Sequence, residues 1–465
     1  MKLSERIQCR AGSPVPPKFL TRTMTAGSAT PPYIDPLVLF CALLLLAARS
    51  FAAPALDSAT RAQLTEVQQA GIRYFTEYGH PVSGLTRVGT ERPPELCEIG
   101  GTGWGFFNLI VAAERGFVPR VEVATRVRTT LRFLSTKAER FHGVFPHWMN
   151  GETGKTIPFS KEDDGGDLVE TGFLAQGLIA LREYFNADDT TEKEIRTLAD
   201  KLWREIEWDW FAQERDGRAV LLWHWSPQFG WKKNLAIQGF NETHIIYLLA
   251  LASPTHAVPA KYYWEGWQGG GERFRTPRTD FGIPATLGRG MNMPLFFAHY
   301  SYLGLDPHTL SVDGRTYFEH LQDICRVQVA YARSKADTFK GYGPLWGWTA
   351  CRGPKGYKAY SPGARDDGTI APTAALSSIP YVPEDALSCL RELNRNYRRL
   401  WGPYGFADSF NLTQDWIGTS TLGNDVGTIA PMIENYLSGL CWRTFMKAPE
   451  IKVALERVRT SDPKP

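Results

Sequence analysis

The chain has 465 residues, with 52 basic against 49 acidic side chains and an aromatic content of 12% that includes 15 Trp, 18 Tyr and 25 Phe. The small positive excess belongs to the first 53 residues; beyond them the count is 46 basic against 47 acidic, which argues against a nucleic-acid or anionic-lipid surface. Five cysteines follow that segment (Cys97, Cys325, Cys351, Cys389 and Cys441), with no CxxC pair or regular spacing; they read as buried small residues rather than as a disulfide framework or zinc site.

Residues 37–48, LVLFCALLLLAA, are apolar but short for a membrane span, and the small residues before Pro54 suit a signal-peptidase cut after Ala52 or Ala53. Met24 would give this leader a more ordinary length. The expectation is export to the periplasm or medium with no stable membrane association, a single N-terminal anchor being the other reading. Residues 54–465 contain no Gly/Ser- or Pro-rich linker and read as a single domain, since closed barrels run this long.

Helical periodicity then recurs along the chain. Residues 58–79 carry Leu64, Val67, Ile72 and Phe75; 104–115 and 121–136 follow; in 168–186, Leu174, Leu178, Leu181 and Phe185 form an i, i+4, i+7, i+11 stripe. Further helices are expected at 189–211, 240–252, 292–304, 314–335, 370–379, 383–400 and 426–446. Strand signals are few: Val144–Trp148, Ala219–Trp223 and Gly405–Phe410. About a dozen helices separated by loops rich in Gly, Trp and acids close most economically as an all-α (α/α)6 barrel. This is a double ring of helices whose rim loops carry a few short strands and build a cleft.

Acids recur at the expected helix entrances. Asp163, Asp167 and Glu170 stand at i, i+4 and i+7 just before the best stripe, so one helical face would carry all three. One acid there complements a helix dipole; a row of them repels itself and needs sugar hydroxyls, water or a cation. Glu242 follows Asn241, a plausible N-cap, which places it in the first turn of an apolar helix. Asp366 and Asp367 precede the helix near Pro372, Asp408 lies in Tyr404–Leu412, and Asp425 is Gly-flanked before another apolar run. Acids gathered on one rim supply the two carboxyl groups that glycoside cleavage needs. No GxSxG, HExxH, Walker-type or GxGxxG pattern competes, and the histidines have no metal spacing. No cofactor or metal is expected, a calcium ion among Asp163–Asp167 being the one metal reading left open. His147 suits a hydrogen bond to substrate or backbone.

Several stretches, in one order over the whole of 54–465, resemble the glycoamylase-like domain and more closely glycoside hydrolase family 144, the bacterial endo-β-1,2-glucanases. They are Gly100–Phe106 (GGTGWGF), Gly143–Trp148 (GVFPHW), Asp163–Phe173 (DDGGDLVETGF), Gly239–Glu242 (GFNE), Ser253–His256 (SPTH), Asp367–Ala375 (DGTIAPTAA), Tyr404–Phe406 (YGF), Asn411–Thr413 (NLT) and Met432–Tyr436 (MIENY). The resemblance implies an (α/α)6 fold and inverting hydrolysis of β-1,2-glucan to sophorose and short oligosaccharides; the chain is expected to be a monomer. It implies Glu242 as general acid and Asp425 as base, with Asp367 or Asp408 as replacements for Asp425. It places Asp163, Asp167 and Glu170 in substrate support. Asp367, Asp408, His147 and the rings of Trp104, Trp148, Trp225, Trp231, Trp346 and Trp348 complete the expected substrate contacts. One departure is Phe240, where the family often has Tyr. A β-1,2-glucan transglycosylase, an exo-acting sophorose-releasing enzyme and a non-catalytic periplasmic glucan-binding protein remain as alternatives.

Overall fold

The computed structural model describes residues 55–233 and 235–461. The apolar run 37–48 and the expected cleavage site lie outside them. Among the described residues there are thirteen α-helices: α1 (Ser58–Glu77), α2 (Ile99–Glu114), α3 (Arg120–Thr136), α4 (Leu168–Tyr184), α5 (Thr190–Arg204), α6 (His244–Ala252), α7 (Phe296–His299), α8 (Tyr317–Ser334), α9 (Pro372–Leu376), α10 (Pro383–Asn396), α11 (Gly423–Leu437), α12 (Leu440–Phe445) and α13 (Pro449–Thr460). None is long and apolar enough to cross a membrane.

The helices fall into two kinds, and their sequences say why. Helices α2, α4 and α6 are apolar on every side and buried nearly all round. Helices α3, α5 and α10 bury one stripe only, such as Ile195, Ala199, Leu202 and Trp203 in α5, and so act as an outer layer. Two close approaches fix the inner layer. A methyl group on Gly103 would stand 2.2 Å from the Phe173 carbonyl oxygen, and one on Gly177 would stand 2.5 Å from that of Gly103, so α2 and α4 touch backbone to backbone. Late in the chain, α11 packs on α1 and α2: Gln68 Nε2 donates to the Ala430 carbonyl (3.2 Å) and Asn108 Nδ2 to that of Gly427 (2.8 Å).

Several expected boundaries shift. Helix α5 stops at Arg204 rather than 211, and α6 begins at His244 rather than 240. The 292–304 segment holds only the four residues of α7 and a 3₁₀ turn, Tyr300–Tyr302. The 426–446 segment starts earlier and breaks where Gly439 takes φ +68°, a left-handed conformation suited to glycine. Helix α13 was not expected. Val144–Trp148 is not a continuous strand: Val144 makes an isolated bridge to Phe141, and ladder pairing starts at Trp148, after Pro146, which has no N–H to donate. The 218–222 strand pairs with 212–215 and 236–237, close to expectation. All five cysteines are free and buried.

Candidate active site

Helices α2, α4, α6 and α11 all begin at one cavity of about 320 Å3. Its wall carries Glu98 from the residue before α2, Val169 and Glu170 from the first turn of α4, Glu242 from the turn before α6, and Leu422 and Asn424 from the start of α11. His147, Trp148, Tyr300, Arg92 and Arg352 are among the further polar and aromatic groups of the lining. Helix N-termini present unpaired N–H groups and the positive end of the dipole, which favours acids at each of these points.

The acidic row does not lie on one helical face. Asp163 belongs to the loop ahead of α4, and Asp167 is its N-cap, accepting from the N–H groups of Val169 and Glu170 (both 3.0 Å). Only Glu170 is helical. The three still gather, because basic groups draw them together. His147 Nδ1 donates to Asp167 Oδ2 (2.9 Å) and lies 3.9 Å from Glu170 Oε1. His224 Nδ1 stands 3.2 Å from Asp163 Oδ1, and Lys233 Nζ donates to Asp163 Oδ2 (3.0 Å). Burial would lower the His147 pKa, but Glu170, Asp167 and Asp163 outweigh it and raise it to about 9, so the ring is charged at neutral pH. Burial would raise Asp163, yet His224 and Lys233 hold it below the usual carboxylate range. The donor atoms of His147, Asp163 and Asp167 lie close enough together to surround a cation; the imidazolium and Lys233 already supply positive charge there.

Glu242 is not a first-turn residue. Asn241 Oδ1 accepts from Thr243 N (2.9 Å), forming a turn, and the helix starts one residue beyond Thr243. The turn is pinned from outside: the Ser301 hydroxyl donates to the Glu242 carbonyl and accepts from Ile245 N (3.0 Å). Burial pushes the Glu242 carboxyl up to about 7; its own backbone N–H opposes this, and the charges of Glu170 and Asp167 reinforce it. A carboxyl group that keeps its proton near neutrality can give it to a leaving oxygen.

Asp425 sits in the first turn of α11, 4% exposed, but does not line the cavity that Glu242 lines. It borders a much smaller cavity together with Asp408. Burial raises both; the charge of Asp408 raises Asp425 further, well above the usual range. Asp408 Oδ2 also accepts from Arg352 N (3.0 Å). Asp367 is away from the cavity wall, accepting from Thr369 N (3.2 Å) and Oγ1 (2.6 Å) in a local turn, so its expected substrate contact is corrected to a turn-forming role.

Of the six tryptophans, Trp104 and Trp148 line the cavity. Trp346 (1% exposed) and Trp348 (0%) are core residues whose indoles donate to the Asp385 carbonyl (3.3 Å) and to Asp366 (3.1 Å); with both faces packed they cannot stack on sugar. Trp225 and Trp231 pack around Trp210 with ring centroids 6.3 Å away, outside the cavity wall. Their places are taken by Phe159, which packs on Trp148 (4.7 Å), and by Trp223 and Tyr300. Phe240 is 4% exposed and packs near Trp267, consistent with a packing residue. Glu98, Arg352 and Tyr300 carry no mark of their own in the sequence. The one signal for Glu98 is an acid directly ahead of the Gly-rich start of α2.

The Glycoamylase family model, a family of provisionally named glucoamylases, matches residues 234–449. A Bacteroides uniformis structure, itself only provisionally named a glucoamylase, is 44% identical, with a TM-score of 0.83, over 87% of this chain and 98% of its own. An endo-β-1,2-glucanase from Chitinophaga pinensis, solved with sophorotriose and glucose, is 39% identical, with a TM-score of 0.82, over 87% of this chain and 98% of its own. A curated relative from Parabacteroides distasonis, an exo β-1,2-glucooligosaccharide sophorohydrolase acting at the non-reducing end, is 38% identical over 417 residues, 85% of this chain. The chain spans 58% of that relative's length. Matched almost end to end by solved relatives at 39 and 44% identity, the chain belongs to the glycoamylase-like family of glycoside hydrolases.

Proposed function

We propose that the chain hydrolyses β-1,2-glucan with inversion, in the manner of glycoside hydrolase family 144, releasing sophorose and short oligosaccharides. One observation carries the reading: Glu242 sits on the wall of an acid- and aromatic-lined cavity with its carboxyl pushed up to about 7 by burial. Glu242 is the general acid, protonating the glycosidic oxygen as positive charge develops on the sugar ring.

The base is Asp425, paired with Asp408. Two like charges this close disfavour each other's ionisation, so at most one member of the pair is negative at a time, and that member accepts a proton from water. Asp425 is set back from the cavity, so that proton passes through a water or a sugar hydroxyl. Asp163, Asp167 and Glu170, held by His147, support substrate and set the field around Glu242. Trp148 offers a ring face to glucose, and Trp104 and Tyr300, packed on each other with ring centroids 4.3 Å apart, line the cavity beside it.

The layered helices and the packing of α11 on α1 and α2 support closure into an (α/α)6 double ring, with 54–465 as one catalytic domain acting as a monomer. Export, to the periplasm or beyond, is supported by residues 37–53.

The test is incubation of purified protein with linear β-1,2-glucan, following product size by chromatography and anomeric form by NMR. Shorter products appearing first as the α-anomer are expected; larger products or the β-anomer first would indicate transglycosylation, and binding without turnover a carrier. Release of sophorose from chain ends is a second reading. It is favoured by the hairpin 350–359, which puts Ala350, Arg352 and Tyr357 on the wall and is held to Glu91 through Arg352 (2.8 Å) and to Asn424 through Tyr357 (3.4 Å). Exclusive sophorose release from polymer would separate it from internal cutting.

A further inference from the structure

We propose that Glu98 is a substrate-binding residue of this cavity, hydrogen-bonding a hydroxyl group of the bound sugar. The inference rests on the glucan-hydrolase reading above and adds to it a third carboxyl group on the cavity wall, beside Glu170 and Glu242.

Glu98 occupies the N-cap position of α2 with extended backbone (φ −112°, ψ 141°), yet its side chain makes no capping hydrogen bond. Capping is what a polar side chain there ordinarily does. The residue is 7% exposed, lines the cavity beside Glu170 and Glu242, and its carboxyl has no hydrogen-bond partner among the described residues, Oε1 being fully covered. The space around that oxygen is made by glycines. A methyl group on Gly101 would stand 2.1 Å from Oε1, and one on Gly423 would stand 2.4 Å from it. The first turns of α2 and α11 therefore each hold a glycine that leaves room for this carboxyl.

A buried carboxyl without a partner is costly; with Oε1 covered, Oε2 is the oxygen left for a partner supplied by the ligand. Its charge state narrows the kind of partner. Three cations share this wall: His147 donates to Asp167, Arg352 is engaged with Glu91, and Arg92 lines the cavity, none of them with a hydrogen bond to Glu98 among the described residues. Burial, and after it the charge of Glu170, raise its pKa well above the ordinary value, against a smaller opposing effect of His147. That direction favours the protonated form, which has one O–H to donate and one oxygen to accept. A sugar hydroxyl has the same two capacities. An ionised Glu98 would instead repel Glu170 and leave a hydroxyl only one way to bind.

The test is steady-state kinetics on β-1,2-linked glucooligosaccharides for wild type, Glu98→Gln and Glu98→Ala, with melting temperatures, and calorimetric binding of the same sugars in a Glu242→Gln background. Glutamine keeps a neutral donor and acceptor, so Glu98→Gln should hold both kcat and KM within about threefold of wild type. Glu98→Ala should raise KM and the calorimetric Kd about tenfold or more with a smaller change in kcat. Should Glu98→Ala fail to fold, Glu98→Met supplies an apolar side chain of similar length with the same expectation. A Glu98→Gln variant losing about 10²-fold in kcat would overturn the proposal, because it would make the group an ionised participant in the chemistry. Unchanged KM and Kd in Glu98→Ala or Glu98→Met, with only the melting temperature moved, would overturn it as well and leave a core residue. Those two failures leave the wild-type activity intact; a wild type that neither cleaves nor binds the glucan would overturn both readings together.

Discussion

Two groups of buried carboxyls flank the helix entrances, and they differ in what stands beside them. Asp163 and Asp167 (4% and 0% exposed) lie against His147, His224 and Lys233; Asp408 and Asp425 (5% and 4% exposed) have each other and a backbone N–H from Arg352. Burial is the same in both. Yet Asp163 is held below the usual range and Asp425 is driven far above it. Desolvation disfavours charge everywhere, so the neighbour decides the outcome. The first group is a fixed field of matched charges. In the second, Asp408 and Asp425 disfavour each other's ionisation, and the member that is ionised is held beside a like charge and is the one able to accept a proton.

The contrast is open to direct attack. The largest effect should come from Glu242→Gln, which lies under the field of the first group: kcat falls about 10²-fold or more with the fold and sugar binding retained, as read by kinetics, calorimetry and circular dichroism. Within the second group, Asp425→Asn should lower kcat about 10²-fold, and Asp408→Asn less. Removing the Asp408 charge lowers the Asp425 pKa, and a base is active when ionised, so the acid limb of the pH–kcat profile should move to lower pH in Asp408→Asn. An unmoved limb would break the pairing.

Between the groups, the pH profile reports Glu242 itself. A general acid works protonated, so kcat/KM should fall as pH rises through about 7. Glu170 raises that pKa, and Glu170→Gln should shift the alkaline limb to lower pH. A smaller effect concerns stability. The His147 pKa is raised from 6.5 to about 9 in the folded protein, so its stabilisation is fully present below about 6.5 and is lost as pH rises through about 9. The melting advantage of wild type over His147→Gln, of order 1–3 kcal/mol, should therefore be present at pH 6 and shrink towards pH 9.5. Smallest for activity, Trp348→Phe should leave kinetics unchanged and cost about 1 kcal/mol of stability by removing the donor to Asp366; a changed KM would restore Trp348 to the sugar contacts.

Much of this was legible in the chain. The stripe of α4 and the apolar run of α6 announce buried helices, and acids ahead of them announce a shared rim. What composition could not convey was direction. The i, i+4, i+7 spacing of Asp163, Asp167 and Glu170 looks helical, but Asp167 caps the helix and ends that pattern, and the three meet through His147 and His224, from 16 or more residues away in sequence. Gly-rich surroundings made Trp346 and Trp348 look like loop rings, whereas their indole N–H groups find buried acceptors and both enter the core. Glu98 stayed hidden because an acid at a helix start is so often only a cap; that its side chain makes no capping bond is a fact of three dimensions.

The backbone contact between Gly103 and Gly177 works as a ruler. Glu98 rides at the head of α2 and Glu170 at the head of α4, so the gap between these two acids is set one to two turns away by how near two polypeptide backbones can come. A single added methyl, Gly103→Ala or Gly177→Ala, would pry the helices apart and widen the mouth without altering any residue that meets sugar. Specificity in such a scaffold can drift through its spacers while every reactive group stays unchanged.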